Sequence, residues 1–241
     1  MAEEDRSVFE LPYEKPDRSV AYGKSEDQVV DFYNSEKPSD SIIVLIHGGY
    51  WRPEYDRKHL APFAKAIANA GWSVALIEYR RIIGNPDAAM SDVMNAIGKV
   101  AEQNSNLILI GHSAGGHLAL LAANKVEAIG IKGVIALAPV TDLVSAEDLD
   151  LDEGAVSDFL GAPAKLRSDL DPIRQPALSA PTFFIHGELD IRVPPIFSRN
   201  YAASSDVELL ELEGVGHFEL IDPRHEIFRV ILEKLGIFAR K

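Results

Sequence analysis

The chain contains no cysteine. That excludes a disulfide scaffold, a thiolate metal site and a cysteine nucleophile. Basic residues are also scarce: 24 Lys and Arg stand against 37 Asp and Glu, for a formal net charge of −13. A chain of this balance has no basic footprint for nucleic acid or for an anionic membrane. Long apolar runs are missing, and no stretch approaches the roughly 20 residues that span a bilayer. The opening Met1-Ala2-Glu3-Glu4-Asp5-Arg6 is acidic and lacks the apolar centre of a secretion signal. The expected location is therefore cytoplasmic. H-E-x-x-H does not occur, and no G-x-G-x-x-G opens a helix after a strand. Neither a metal nor a dinucleotide cofactor is expected.

What is present suits one globular domain over residues 1–241, with 46% hydrophobic residues to build a core. Residues 1–25 are polar, contain proline and show no period, and read as an extended arm. Short apolar runs then follow at Gln28–Tyr33, Ile42–Ile46, Ser73–Tyr79, Leu107–Ile110, Gly133–Leu137, Thr182–Ile185 and Glu208–Leu212. Most are continuously apolar, as strands buried on both faces are. Helical periods separate them at Tyr55–Ala70, Asp87–Gln103, Ala114–Asn124, Pro195–Ala203 and Pro223–Leu235. Alternation of this kind implies βαβ units: an α/β fold with a mostly parallel central sheet and helices on both faces. Residues 141–178, acidic and proline-containing, break the rhythm and read as an excursion above the sheet edge that would form a small cap over the active site.

The chemistry centres on Gly111-His112-Ser113-Ala114-Gly115, placed between a buried strand and an Ala/Leu-rich helix. This is the G-x-S-x-G pattern in the strand–turn–helix setting it requires, with a serine lifted to the apex of a sharp turn. A serine hydroxyl is a weak nucleophile until a base takes its proton and a carboxylate orients that base. In an elbow of this type the acid and then the histidine follow in chain order. Asp190, in the loop after Thr182–Ile185, is the expected acid, with Glu188 and Asp142 as competitors. His217 follows Glu208–Leu212 behind two glycines and is the expected base. Upstream, His47-Gly48-Gly49-Tyr50-Trp51 follows the run Ile42–Ile46, where an oxyanion loop belongs. Gly49 and Tyr50 are the expected N–H donors, joined by Ala114 from the elbow, while Gly48 permits the turn. His47 reads as a structural hydrogen-bonder. Trp51 and His112 are candidates for substrate contact, although packing of the loop against the sheet would also account for Trp51. Arg192 would face a substrate carboxylate or, as the plainer reading, a surface ion pair.

With these residues in place, the chain resembles the α/β-hydrolase superfamily from about Tyr22 to Phe238. His47-Gly48-Gly49-Tyr50-Trp51 resembles the H-G-G-x-W motif of the kynurenine formamidase (arylformamidase) group, where hormone-sensitive-lipase-like esterases more often carry H-G-G-G. Tyr22-Gly23 and Val30-Asp31-Phe32-Tyr33 are similar to the lead-in of the same group. The resemblance implies Ser113, Asp190 and His217 as triad, Gly49, Tyr50 and Ala114 as oxyanion donors, no cofactor, and N-formyl-L-kynurenine as substrate. A short-acyl carboxylesterase is the alternative, and a non-catalytic hydrolase-fold receptor a more distant one. The expected partner is a small ester or formamide, with no nucleic acid and no membrane; a homodimer is compatible with the sequence.

Overall fold

The computed structural model describes residues 4–125 and 130–240. Its centre is β3 (Ile42–Ile46), buried along its whole length. It lies in parallel register between β4 (Ser73–Ile77) and β5 (Leu107–His112). Both faces of such a strand must be covered, and alternation sorts its side chains between two core layers. Val44 and Ile46, with Leu107 and Leu109 of β5, pack under α2 (Pro86–Ala101) and α3 (Ala114–Lys125). Ile43 and Leu45, with Ile108 and Ile110, join the layer holding Phe63 and Ile67 of α1 (Ala61–Asn69) and Ile231 and Leu235 of the last helix, Ile227–Phe238.

Among the described residues the sheet has eight strands in the order β1-β2-β4-β3-β5-β6-β7-β8. β6 (Ile131–Leu137), β7 (Thr182–Gly187) and β8 (Glu208–Leu212) continue it in parallel. The carboxyl ends of β3, β5, β7 and β8 therefore lie along one edge, where doubly wound sheets present their loops to ligands. Two departures from expectation occur at the other side. The arm contains a strand, β1 (Arg18–Ala21), and both β1 and β2 (Val29–Tyr33) run antiparallel to their neighbours. β1 is mostly exposed, so it lacks the apolar run by which the inner strands announce themselves.

Helix boundaries follow local chemistry. Asn85 caps α2 by accepting from Ala88 N–H, and Pro86 opens its first turn. The stretch before α1 is a 3₁₀ turn, Arg57–Leu60, capped by Asp56. The last helix begins at Ile227 rather than Pro223 because Pro223 and Arg224 form a turn. Residues 141–178, between β6 and β7, hold α4 (Leu143–Asp148), α5 (Ala155–Leu160) and three 3₁₀ turns. Among the described residues no helix is long and apolar enough to cross a membrane.

Candidate active site

Ser113 sits between β5 and α3 with φ of 56°, a left-handed conformation that side chains disfavour. Its surroundings impose the turn. Ser113 N–H donates to Leu137 O at 2.8 Å, tying the apex to the end of β6. A Cβ on Gly115 would stand 2.2 Å from Ile46 O, so the elbow helix can approach β3 only with glycine there.

The loop after β3 is built in the same way. Gly49, Tyr50 and Trp51 have φ of 108°, 50° and 57°. The run of left-handed residues is braced by His47, whose imidazole is fully buried between Glu78 Oε1 and Gly48 O, each at 2.8 Å, and stacks on Tyr79. Burial by itself would raise the Glu78 carboxyl. The facing His47, the Arg81 guanidinium and the Arg57 N–H outweigh it and hold the group below the ordinary carboxylate range. His47 thus secures the loop and does not line the pocket. Among the described residues, no backbone or side-chain acceptor takes the N–H of Gly49, Tyr50 or Ala114.

Asp190 and His217 are joined directly. His217 Nδ1–H donates to Asp190 Oδ2 at 2.6 Å, and Asp190 Oδ1 accepts from the N–H groups of Arg192 and Val193 at 2.8 Å each. His186 Nε2 lies 3.3 Å from the same Oδ2. Burial pushes the Asp190 carboxyl up, but His217 and His186 more than reverse this, so it stays ionised well below its ordinary range. Of the competitors, Glu188 is exposed and Asp142 caps α4 through Ser145 N–H. With Nδ1 engaged, Nε2 is the nitrogen His217 has available in the pocket it shares with Ser113.

His112 also lines this pocket, its ring 4.5 Å from that of His217. Burial and the neighbouring His217 hold it neutral, well below the usual histidine range. A carbonyl only accepts, so His112 Nε2–H donates to His217 O at 3.1 Å, and Nδ1 is left buried without a partner.

Trp51, the other candidate for substrate contact, is not among the residues that line this pocket. It is 4% exposed, stacks on Phe159 of α5 at 4.5 Å and meets His117 edge-on. The left-handed backbone turns it under residues 141–178, with the apolar layer between α3 and α5 as its partner. Next to it, Arg52 Nε reaches Asp152 at 2.9 Å and Nη1 reaches Asp158 at 3.0 Å. This loop therefore clamps the 141–178 segment as well as flanking Ser113. Tyr50 Oη donates to Arg192 O at 2.9 Å, linking the loop after β3 to the loop that carries Asp190.

The pocket is lined on its aromatic side by Phe9, Tyr50, Tyr55 and Phe218, with His59 beside them. Arg6 and Phe9 come from the arm, which was expected to be extended and partly wrapped. Neither periodicity nor a motif marks them; only the path of the chain across the sheet edge brings them there. His59, within the helical period expected over Tyr55–Ala70, lies instead in the 3₁₀ turn and is pushed down to about 4 by burial and by His47. No group of three or more His, Asp or Glu among the described residues is arranged to hold a metal ion.

An eight-stranded, mostly parallel sheet with a serine elbow on its carboxyl edge defines an α/β-hydrolase. The chain belongs to the BD-FAE family, whose model matches residues 30–204. It is similar to the kynurenine formamidase of Danio rerio, with 29% identity over 152 residues, covering 56% of this chain and 51% of that protein. It is also similar to Lipase 2 of Moraxella sp., with 27% identity over 210 residues, covering 78% of this chain and 47% of that protein. The chain thus spans about half the length of these curated relatives. Among solved structures, a truncated carbohydrate esterase from gut microbiota superposes with a TM-score of 0.76 at 18% identity, covering 99% of each chain. An acetyl ester-xyloside bifunctional hydrolase from Caldicellulosiruptor lactoaceticus does so with 0.76 at 18%, covering 94% and 98%. Likeness at such identity is likeness of fold.

Proposed function

We propose that the protein is a serine hydrolase that cleaves a small acyl ester or amide through Ser113, His217 and Asp190, and that its substrate is an aryl formamide of the N-formyl-L-kynurenine kind. The observation that carries this reading is the shared pocket. Ser113, on a left-handed apex, and His217, hydrogen-bonded to a buried ionised Asp190, line the same cavity. In the proposed reaction, His217 Nε2 takes the Ser113 Oγ proton as Oγ attacks the carbonyl carbon. Gly49, Tyr50 and Ala114 N–H hold the oxyanion, each such donor contributing ~3–4 kcal/mol at the transition state. His217 then returns the proton to the leaving amine or alcohol, and water repeats the cycle on the acyl-enzyme.

The formamide reading is supported by the aromatic wall of Phe9, Tyr55 and Phe218, which suits an aryl leaving group, and by the similarity to kynurenine formamidases. A short-acyl carboxylesterase is the second reading, because the lipase and esterase relatives align over more of the chain. Comparing kcat/KM on N-formylkynurenine and p-nitrophenyl acetate separates the two: strong preference for the ester overturns the formamide assignment. Ser113→Ala is expected to abolish turnover of both and to prevent labelling by a fluorophosphonate. Retention of near-wild-type hydrolysis would remove Ser113 from the mechanism.

A further inference from the structure

The acidity of the chain makes one local exception conspicuous. At the mouth of the Ser113 pocket two guanidinium groups, Arg6 and Arg192, approach the same ring, with Cζ 5.5 and 6.0 Å from the centroid of Phe218. Phe218 is the residue after His217, and its ring meets the His217 ring edge-on at 5.1 Å. The two cations therefore stand beside the group that handles the proton.

Their partners differ. Arg192 holds the Glu4 carboxylate in a two-point grip, Nε to Oε1 and Nη2 to Oε2, each at 2.9 Å. Its remaining nitrogen, Nη1, is 3.8 Å from Asp152. Arg6 has no carboxylate partner among the described residues; it lies over the rings of Phe9 and Phe218. The fork of Arg192 is thus shaped for a planar carboxylate and already carries one. That carboxylate comes from the arm. Val8 anchors the arm in the core at 4% exposed, Arg224 reaches Ser7 Oγ at 3.0 Å, and Phe9 rests edge-on against Phe218 at 4.8 Å. Anchored in this way, the arm delivers Glu4 to the lip of the pocket.

We propose that Arg192, assisted by Arg6, is a subsite for a carboxylate on the substrate, and that Glu4 is an internal occupant which such a substrate displaces. The chemical class that fits is an aryl ester or amide bearing a carboxylate on its leaving group. An anion approaching a chain of charge −13 meets net repulsion, and a paired-arginine lip supplies local attraction at the pocket. Partly exposed ion pairs contribute little net stability, so Glu4 can yield to a competing carboxylate. The proposal deepens the hydrolase reading and rests on Ser113 being the reacting group for its kinetic arm only.

The test compares 4-acetoxybenzoate with its uncharged methyl ester in wild type, Arg192→Gln and Glu4→Gln. The quantity read is the ratio of kcat/KM for the charged over the uncharged ester. Arg192→Gln is expected to lower the ratio at least tenfold through KM, and Glu4→Gln to raise it three- to tenfold. Ratios within twofold of wild type in both variants, or a fall in Glu4→Gln, overturn the subsite. Calorimetric titration of 4-hydroxybenzoate into Ser113→Ala protein needs no turnover: affinity should fall at least tenfold with Arg192→Gln and rise with Glu4→Gln, and an unchanged affinity overturns the subsite. If neither ester is hydrolysed yet the titration follows this pattern, the subsite stands and the hydrolase reading falls. If hydrolysis depends on Ser113 and the ratio does not move, the reverse holds.

Discussion

Asp190 has a different task with each of its oxygens. Oδ1 is taken by two backbone N–H groups of its own loop, which fix the carboxylate in place, while Oδ2 faces His217 and His186. Replacement by asparagine keeps the shape and removes the charge that favours a proton on His217 Nδ1. Asp190→Asn is therefore expected to lower kcat by about 10⁴, as loss of the orienting carboxylate does in a serine triad, with the far-ultraviolet circular dichroism unchanged. Steady-state turnover of p-nitrophenyl acetate checks this. An effect below tenfold would mean that Asp190 serves the loop and not the base. His112 acts at the same scale but through the backbone: its Nε2–H on the His217 carbonyl holds the main chain at His217.

At the scale of elements, the loop after β3 joins three parts of the molecule. Tyr50 reaches the loop after β7, His47 and Glu78 tie it to the end of β4, and Trp51 with Arg52 holds the 141–178 segment. Trp51 serves that role by area and shape, since its Nε1–H has no partner. Trp51→Phe then loses no hydrogen bond and keeps one ring against Phe159, so it is expected to cost less than Trp51→Ala. Trp51→Ala leaves a void against Phe159 and is expected to cost ~3–5 kcal/mol. Urea unfolding of both variants is the measurement. Equal destabilisation would show that the indole nitrogen matters and that packing is not the main term.

For the whole molecule, the distribution of buried titratable groups predicts sensitivity to acid. His117 and His59 are held neutral, each pushed down to about 4, chiefly by burial. The unfolded chain binds these protons near pH 6.5, so between about 6.5 and 4 it binds more than the folded chain, and stability falls as pH falls. For fully buried His117, taking the pH from 7 to 5 removes about 2 kcal/mol. Asp190 and Glu78, whose pKa values are lowered in the fold, add stability above the unfolded carboxylate range and lose it only on further acidification. Melting temperatures measured from pH 8 to pH 4 should fall in two stages, the first starting near 6.5. A flat profile down to pH 5 would mean that the buried histidines do not govern the acid limb.

The sequence by itself determined the layers and the order of the parts. Continuously apolar runs such as Ile42–Ile46 and Leu107–Ile110 can be satisfied only by strands covered on both faces, and glycines beside Ser113 mark a turn that a Cβ would block. These signals are local, so they survive without the fold. Only the tertiary structure decided which residues share the pocket. β1 carries no apolar run because it is an exposed edge, and its antiparallel pairing with β2 depends on a partner distant from any motif. Trp51 belongs to the motif that named it, yet it stacks on Phe159 and does not line the pocket of Ser113. Arg6, Phe9 and Glu4 belong to a segment with no period at all. They reach the mouth because Val8 finds a place in a core formed by residues far along the chain, and long-range packing of that kind leaves no pattern in the arm itself.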